Sequence, residues 1–213
     1  MDVSYVRRLN GIGAVTISSM LIACSSSASA PAQPAAPIPQ NFSFSTARTL
    51  AATSDARVFT VTSATFANQM RVPESMVYNG TAGNVCKGDD RSPELSWKNA
   101  PAGTKSFAVT AYDTTASFTH WGIYDLASST TKLPENAGAA GSTAGKQVAN
   151  DFGNRQYDGP CPPPGRVHHY VFTVYALDVS ELHLTVSPTG ASLFRAMIGH
   201  TLGKAIVVGL YST

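Results

Sequence analysis

His168 and Tyr170 stand two residues apart in the run His168-His169-Tyr170-Val171-Phe172-Thr173-Val174-Tyr175-Ala176-Leu177-Asp178. On an extended chain that spacing turns both side chains to one side and His169 to the other. Asp113 closes an earlier apolar run, Ser106 to Asp113, and His120 stands at the head of another, His120 to Leu126. Two imidazoles, a phenol and a carboxylate form a coherent chemical set. A protonated ring gives an anion a charge-assisted hydrogen bond, and the carboxylate can orient a ring and hold its proton. Backbone N–H groups around Gly159 and Cys161 would add neutral donors, completing an anion-sized receptor.

Each residue also has a plainer role. Asp113 can cap a turn, and a lone histidine at a strand end is commonly a surface group. His169, His183 and His200 read as exposed or helix-end residues. Two histidines and Asp113 match the ligand types of a two-histidine, one-carboxylate metal site, but no His-Glu-x-x-His spacing accompanies them, so no metal or other cofactor is expected. A histidine-dependent hydrolase is a weaker alternative, since no Gly-x-Ser-x-Gly elbow supplies a nucleophile. Asp151-Phe152-Gly153 spells a kinase magnesium motif without the rest of a kinase and is given no catalytic role. The expectation is a binding protein, not an enzyme.

Rigid elements must bring these groups together. Tyr157-Asp158-Gly159-Pro160-Cys161-Pro162-Pro163-Pro164-Gly165 cannot be helix and reads as a stiff loop. The β-branched and aromatic run after it reads as a strand buried on both faces. Strands are also expected at Phe59–Thr62, at Leu95–Trp97 with both residues on one face, at Ser106–Asp113 and at Ala205–Tyr211. Glu135 to Gly145 reads as a surface excursion. Ser187-Pro188-Thr189 sets a helix start, with Leu193/Met197 and Phe194/Ile198 at four-residue spacing and a stop at Gly199 or Gly203. The fold class is mainly β: packed sheets with a C-terminal helix on the flank.

The chain has 213 residues and a net charge of +2, with lysine and arginine scattered, which gives no case for nucleic acid. Arg7-Arg8 precede an apolar run, Gly11 to Ala23, too short for a membrane span but suited to a signal sequence. It ends Leu21-Ile22-Ala23-Cys24, which resembles the lipobox of bacterial lipoproteins; an ordinary cleaved signal with an incidental Cys24 is the alternative. The division expected is a signal peptide over 1–23, a tether rich in Ser, Ala, Pro and Gln over 24–50, and a domain over 51–213. Lipid on Cys24 would make the membrane a partner, and Ser25 fits sorting to the periplasmic face of the outer membrane. Cys86 and Cys161 remain, and an even pair in an exported protein favours a disulfide over two separate thiols.

The chain from Phe59 to Tyr211 resembles the phosphatidylethanolamine-binding protein family, in its bacterial Raf-kinase-inhibitor-like branch. The carriers are Ser92-Pro93-Glu94-Leu95-Ser96-Trp97, the run Pro101 to Val109, Tyr112-Asp113, His120-Trp121, Asp151-Phe152-Gly153, and Tyr157 through Asp178. The resemblance implies an antiparallel β-sandwich and a small pocket for phosphate or a phospholipid head group. Asp113, His120, His168 and Tyr170 would line that pocket, and Gly159, Cys161 and Pro162 would form a stiff wall with backbone donors. It also implies a possible protein partner, as in protease or kinase inhibitors. Where the family reads Asp-Pro-Asp-Ala-Pro, this chain reads Asp113-Thr114-Thr115-Ala116-Ser117, so a softer, less acidic rim is expected.

Overall fold

The large apolar side chains of this chain fall on alternate positions of a few strands, and two sheets pack together to bury them. The computed structural model describes residues 57–80 and 86–213. The expected signal peptide and tether, with Cys24, lie outside the described residues.

The strands are β1 (Thr60–Thr62), β2 (Met70–Arg71), β3 (Leu95–Lys98), β4 (Ser106–Asp113), β5 (Phe118–Ala127), β6 (Lys132–Leu133), β7 (Lys146–Gln147), β8 (His168–Leu177) and β9 (Thr201–Tyr211). One small sheet has the order β1-β3-β6, and a larger one has the order β2-β9-β8-β4-β5-β7. Every pairing is antiparallel except the short β2, which runs parallel to β9. The main core lies between the sheets, where Val61, Leu95 and Trp97 meet Phe107, Val109, Trp121, Phe172, Val174 and Val207. The expected shared face of Leu95 and Trp97 is this one.

On its other face the large sheet receives the helix α1 (Gly190–Ala196). Leu193 and Met197 pack there with Ala108, Tyr124, Val148, Leu177 and Leu182. That cover explains why β4 is buried nearly throughout, although its sequence alternates. Thr189 caps α1: its side chain accepts from the Ser192 N–H, while the Ser192 side chain accepts from the Thr189 N–H. Gly199, at φ +83°, ends the segment beyond the helix. Gly203 lies inside β9 and has no part in the stop. Ile198 does not pack as its spacing suggested and is 76 % exposed.

Two further expectations change. β5 begins at Phe118, so His120 is its third residue and not its first. The stretch 135–145 is only partly a surface excursion. Ala137 is buried, the Gly138 N–H donates to the Ser92 hydroxyl, and its carbonyl accepts from Tyr157. A Cβ on Gly138 would lie 2.7 Å from Tyr157 and 2.9 Å from Trp121, so the chain here is part of the core wall.

Replacing the capping Thr189 with Ala should cost about 1 kcal/mol. A thermal melt should record this as a fall of about 2–4 °C in Tm.

Candidate functional site

Antiparallel pairing of β4 with β8 sets Asp113 directly opposite Tyr170 at the sheet's end. From there the carboxylate reaches the ring two residues along: Asp113 Oδ2 lies 2.6 Å from His168 Nδ1. Since a carboxylate only accepts, His168 Nδ1 carries the proton and Nε2 is the nitrogen left for a ligand. Asp113 Oδ1 accepts from the Thr115 N–H at 2.8 Å and the Ala116 N–H at 3.2 Å. The two readings of Asp113, turn cap and histidine partner, are therefore both correct, one for each oxygen.

His120 arrives by a different device. The register steps from Ala111↔Trp121 to Tyr112↔Thr119, so β5 carries one residue more than β4 there. His120 is the extra residue of this β-bulge, and bulges re-aim side chains. Without it, strict alternation would turn His120 away from the side that Trp121 occupies. With it, Phe118, His120 and Trp121 all face inward. His120 Nδ1 lies 2.7 Å from the Asp158 carbonyl, which can only accept, so here too Nε2 is the nitrogen left.

Tyr170 sits between the two rings, its centroid 5.1 Å from that of His120 and 6.4 Å from that of His168. All four side chains are nearly buried: Tyr170 and Asp113 are 2 % exposed, His120 5 % and His168 6 %. They line one hollow of about 220 Å3, closed by Ala116, Phe118, Phe152, Cys161, Pro162 and Pro163. Burial holds His120 below the usual histidine range, although the Asp158 carbonyl and the nearby Asp113, Asp158 and Asp151 carboxylates pull it back up. Burial first, and then the Asp113 charge, push the Tyr170 hydroxyl far above the usual tyrosine range, so it stays neutral.

Cys86 and Cys161 form the expected disulfide, and Cys161 and Pro162 stand in the wall as expected. Gly159 does not. Its N–H donates to Asp90 Oδ1 at 2.7 Å, and a Cβ on it would sit 2.0 Å from the Met76 carbonyl oxygen. It packs behind the wall and offers the hollow no donor. The rim over Thr114–Ser117 is not soft either. Besides the two bonds to Asp113, the Thr114 N–H donates to the His169 carbonyl, the His169 N–H to Thr115 Oγ1, and Arg166 Nη2 to the Thr115 carbonyl at 2.8 Å. Those bonds replace the stiffness that prolines would have supplied.

Sequence reading missed three contributors. Phe118 shares a side with His120, two residues away, and that period was the available signal. Phe152, from the motif given no catalytic role, stacks on Tyr78 at 5.2 Å and stands edge-on to Phe118 at 4.8 Å. Asp158 positions His120 through its carbonyl while its buried carboxylate accepts from Asn150, Asn154 and Gln156 side-chain amides at 2.7, 2.8 and 2.7 Å. Nothing local in the sequence marks that cluster except its density of amide and acid residues. No group of metal-ligating side chains is found among the described residues.

This fold and this hollow define a class. The family model of the phosphatidylethanolamine-binding protein matches residues 62–212, and the chain belongs to that family. Within it, the chain is of the bacterial YbhB/YbcL type. Escherichia coli YbhB is 36% identical over 67% of this chain and 92% of its own length, and an Aquifex aeolicus relative is 38% identical over 72% and 88%. The crystal structure of Escherichia coli YbcL, described as a new member of the mammalian PEBP family, superposes with a TM-score of 0.66 at 34% identity, covering 73% of this chain and 98% of that one. A Mycobacterium tuberculosis protein named as a candidate lipoprotein, LppC, is 35% identical over 59% of this chain and 62% of that one.

Asp113→Ala should leave the His168 ring and two turn N–H groups without their acceptor. Denaturant unfolding should show a loss of about 2–3 kcal/mol, the cost of leaving buried donors without an acceptor. His120 sets a separate acid sensitivity. Its proton is bound more weakly in the folded chain than in the unfolded one, so its contribution to stability is complete above the unfolded value, about pH 6.5. That contribution is lost as pH falls below it toward the lowered folded value. Melts from pH 7.5 to 5 should show that part of the slope disappear in His120→Gln.

Proposed function

We propose that this chain is a non-enzymatic binding protein of the bacterial cell envelope, held by lipid on Cys24 at the periplasmic face of the outer membrane. Its hollow accepts a phosphate-containing or similarly anionic head group. The observation that carries the reading is the pair of imidazoles, one backed by a carboxylate and one by a carbonyl, each with Nε2 left for a ligand in a single hollow. The volume of about 220 Å3 lies below the ~300–1,000 Å3 of pockets for drug-sized ligands, so it suits a head group and not a whole lipid. Apolar walls of Phe118, Phe152, Pro162 and Pro163 strengthen hydrogen bonds made beside them. Among the described residues, those lining the hollow include no serine or threonine, and the cysteine there is bridged, which supports binding over turnover.

Two features favour a partner protein as a second reading. Phe152 and Val167, both close to the histidines in the chain or the hollow, are 44 % and 48 % exposed, and the family resemblance includes inhibitor-type members. A partner seated there would cover the mouth of the hollow.

Calorimetric titration with inorganic phosphate and with glycerophosphoethanolamine tests the main reading. An anion near His120 Nε2 favours the protonated ring, so binding takes up a proton. Affinity should rise as pH falls through and below about 6.5, with a limiting slope of about tenfold per unit. His168→Ala should abolish detectable binding, and His120→Ala should flatten the pH profile. No heat from either ligand between pH 5 and 8 would sink the reading. The anchor is tested separately: Cys24→Ser should move the protein from the membrane fraction to the soluble one and remove incorporation of labelled palmitate.

A further inference from the structure

β4 and β8 present a second set of side chains on the face turned away from the hollow. Alternation puts Asp113 and Tyr170 on one side and Thr110, Tyr112, Thr173 and Tyr175 on the other, the side of α1. Thr110 and Thr173 are direct cross-strand partners. Together with Phe194 of α1 and Asp151, they line a groove of about 540 Å3 that shares no lining residue with the hollow.

The chemistry of this groove is unlike that of the hollow. Thr110, Thr119 and Thr173, which all line it, are 1, 4 and 5 % exposed. Among the described residues, none of their hydroxyls has a hydrogen-bond partner. Buried hydroxyls are normally paired, and the Thr110 oxygen, covered and without a partner among the described residues, is an exception. The Thr110 oxygen is wholly covered, so Thr119 and Thr173 are the hydroxyls a ligand would meet first. The Phe194 ring stands edge-on to Tyr112 at 6.0 Å and to Tyr175 at 6.5 Å, which makes one aromatic wall beside these hydroxyls. Among the described residues, Asp151 is the charged one that lines the groove. Its Oδ2 takes the Thr119 N–H at 2.7 Å, and its Oδ1 has no partner among the described residues.

We propose that this groove is a second binding site, for a neutral pyranose sugar. Sugar hydroxyls both donate and accept, so they can pair with threonine hydroxyls and donate to Asp151 Oδ1. The C–H face of the ring can lie on the aromatic wall, the usual mixture of apolar surface and a few placed polar groups. An anion would face the Asp151 carboxylate. An alkyl chain would cover the Thr119 and Thr173 hydroxyls without pairing them, at the cost of their desolvation. The site is independent of the anion reading, since the two openings lie on opposite faces of the sheet.

The test titrates the full chain, 15N-labelled, with methyl β-D-glucopyranoside. Amide shifts should concentrate at Thr110, Thr119, Thr173 and Phe194, with a dissociation constant on the order of 1–10 mM, as expected for a single sugar in an open groove. Saturation transfer should mark the ring C–H protons. Thr173→Val, which removes one hydroxyl at nearly constant shape, should weaken sugar binding at least about threefold while phosphate binding in the hollow is unchanged. Tyr175→Ala, which removes part of the aromatic wall, should weaken it as well and keeps the test decisive if Thr173→Val does not fold. The proposal is overturned if these amides stay still up to about 100 mM sugar, if neither variant weakens binding, or if decanoate moves them and the sugar does not.

Discussion

A carboxylate that is 2 % exposed must be given donors on both oxygens, and the way Asp113 obtains them organises this molecule. One oxygen takes the His168 ring and the other takes two N–H groups of the turn that follows β4. The first bond joins the end of β4 to the start of β8, and the second starts the chain back toward β5. The three segments that build the hollow therefore meet at one charge. The eight-residue register of β4 on β8 holds that charge opposite Tyr170, so sheet pairing and site geometry are one constraint.

The two imidazoles are not equivalent, and the difference lies in what stands behind each ring. His168 is backed by the Asp113 carboxylate, whereas His120 is backed by a neutral carbonyl, and burial holds its pKa below the usual histidine range. An anion bound as proposed would meet one ring held by a carboxylate and one, His120, that must acquire a proton to donate to it. In the proposed reading, such a hollow would respond to the protonation of its ligand as well as to its charge. With Nδ1 protonated, a neutral ring offers Nε2 only as an acceptor, so a monoprotonated phosphate could donate to His120 Nε2 while a fully deprotonated one could not.

What could be read from the sequence was whatever local periodicity determines. Alternation found β3, β4 and β8, and placed His168 and Tyr170 on one side. The spacing of Leu193 and Met197 behind Thr189 found α1. The residues that failed this reading failed for reasons of tertiary structure. The bulge at His120 is a property of two strands in register, not of one. The Gly159 N–H was expected to face a ligand, but Asp90, 69 residues away in the chain, claims it. The rim at Thr114–Ser117 looked soft without its prolines because the bonds that brace it come from His169 and Arg166, over 50 residues distant. Phe152 was set aside with a motif whose chemistry was absent, although its ring, and not its motif, is what lines the hollow.

The wall at Cys161–Pro163 shows how a loop with little secondary structure becomes a rigid surface. The disulfide closes a separation of 75 residues, which in the chain-entropy account restricts the unfolded chain by about 4 kcal/mol. Asp90 ties the same two segments again, its oxygens accepting from Gly159 on one side and Asn79 on the other. Pro162 and Pro163 have fixed φ and no N–H, so the wall can present an apolar surface without leaving donors unpaired. A surface made this way loses little conformational freedom when a ligand arrives, because its ordering is complete beforehand. In the proposed reading, selectivity would fall to the few polar groups, His120, His168 and Tyr170, all of which lie on strands and not on the loop. A hollow with its polar groups on a sheet and its apolar wall on a cross-linked loop can tolerate change in the loop's outer residues while its hydrogen-bonding geometry stays that of the sheet.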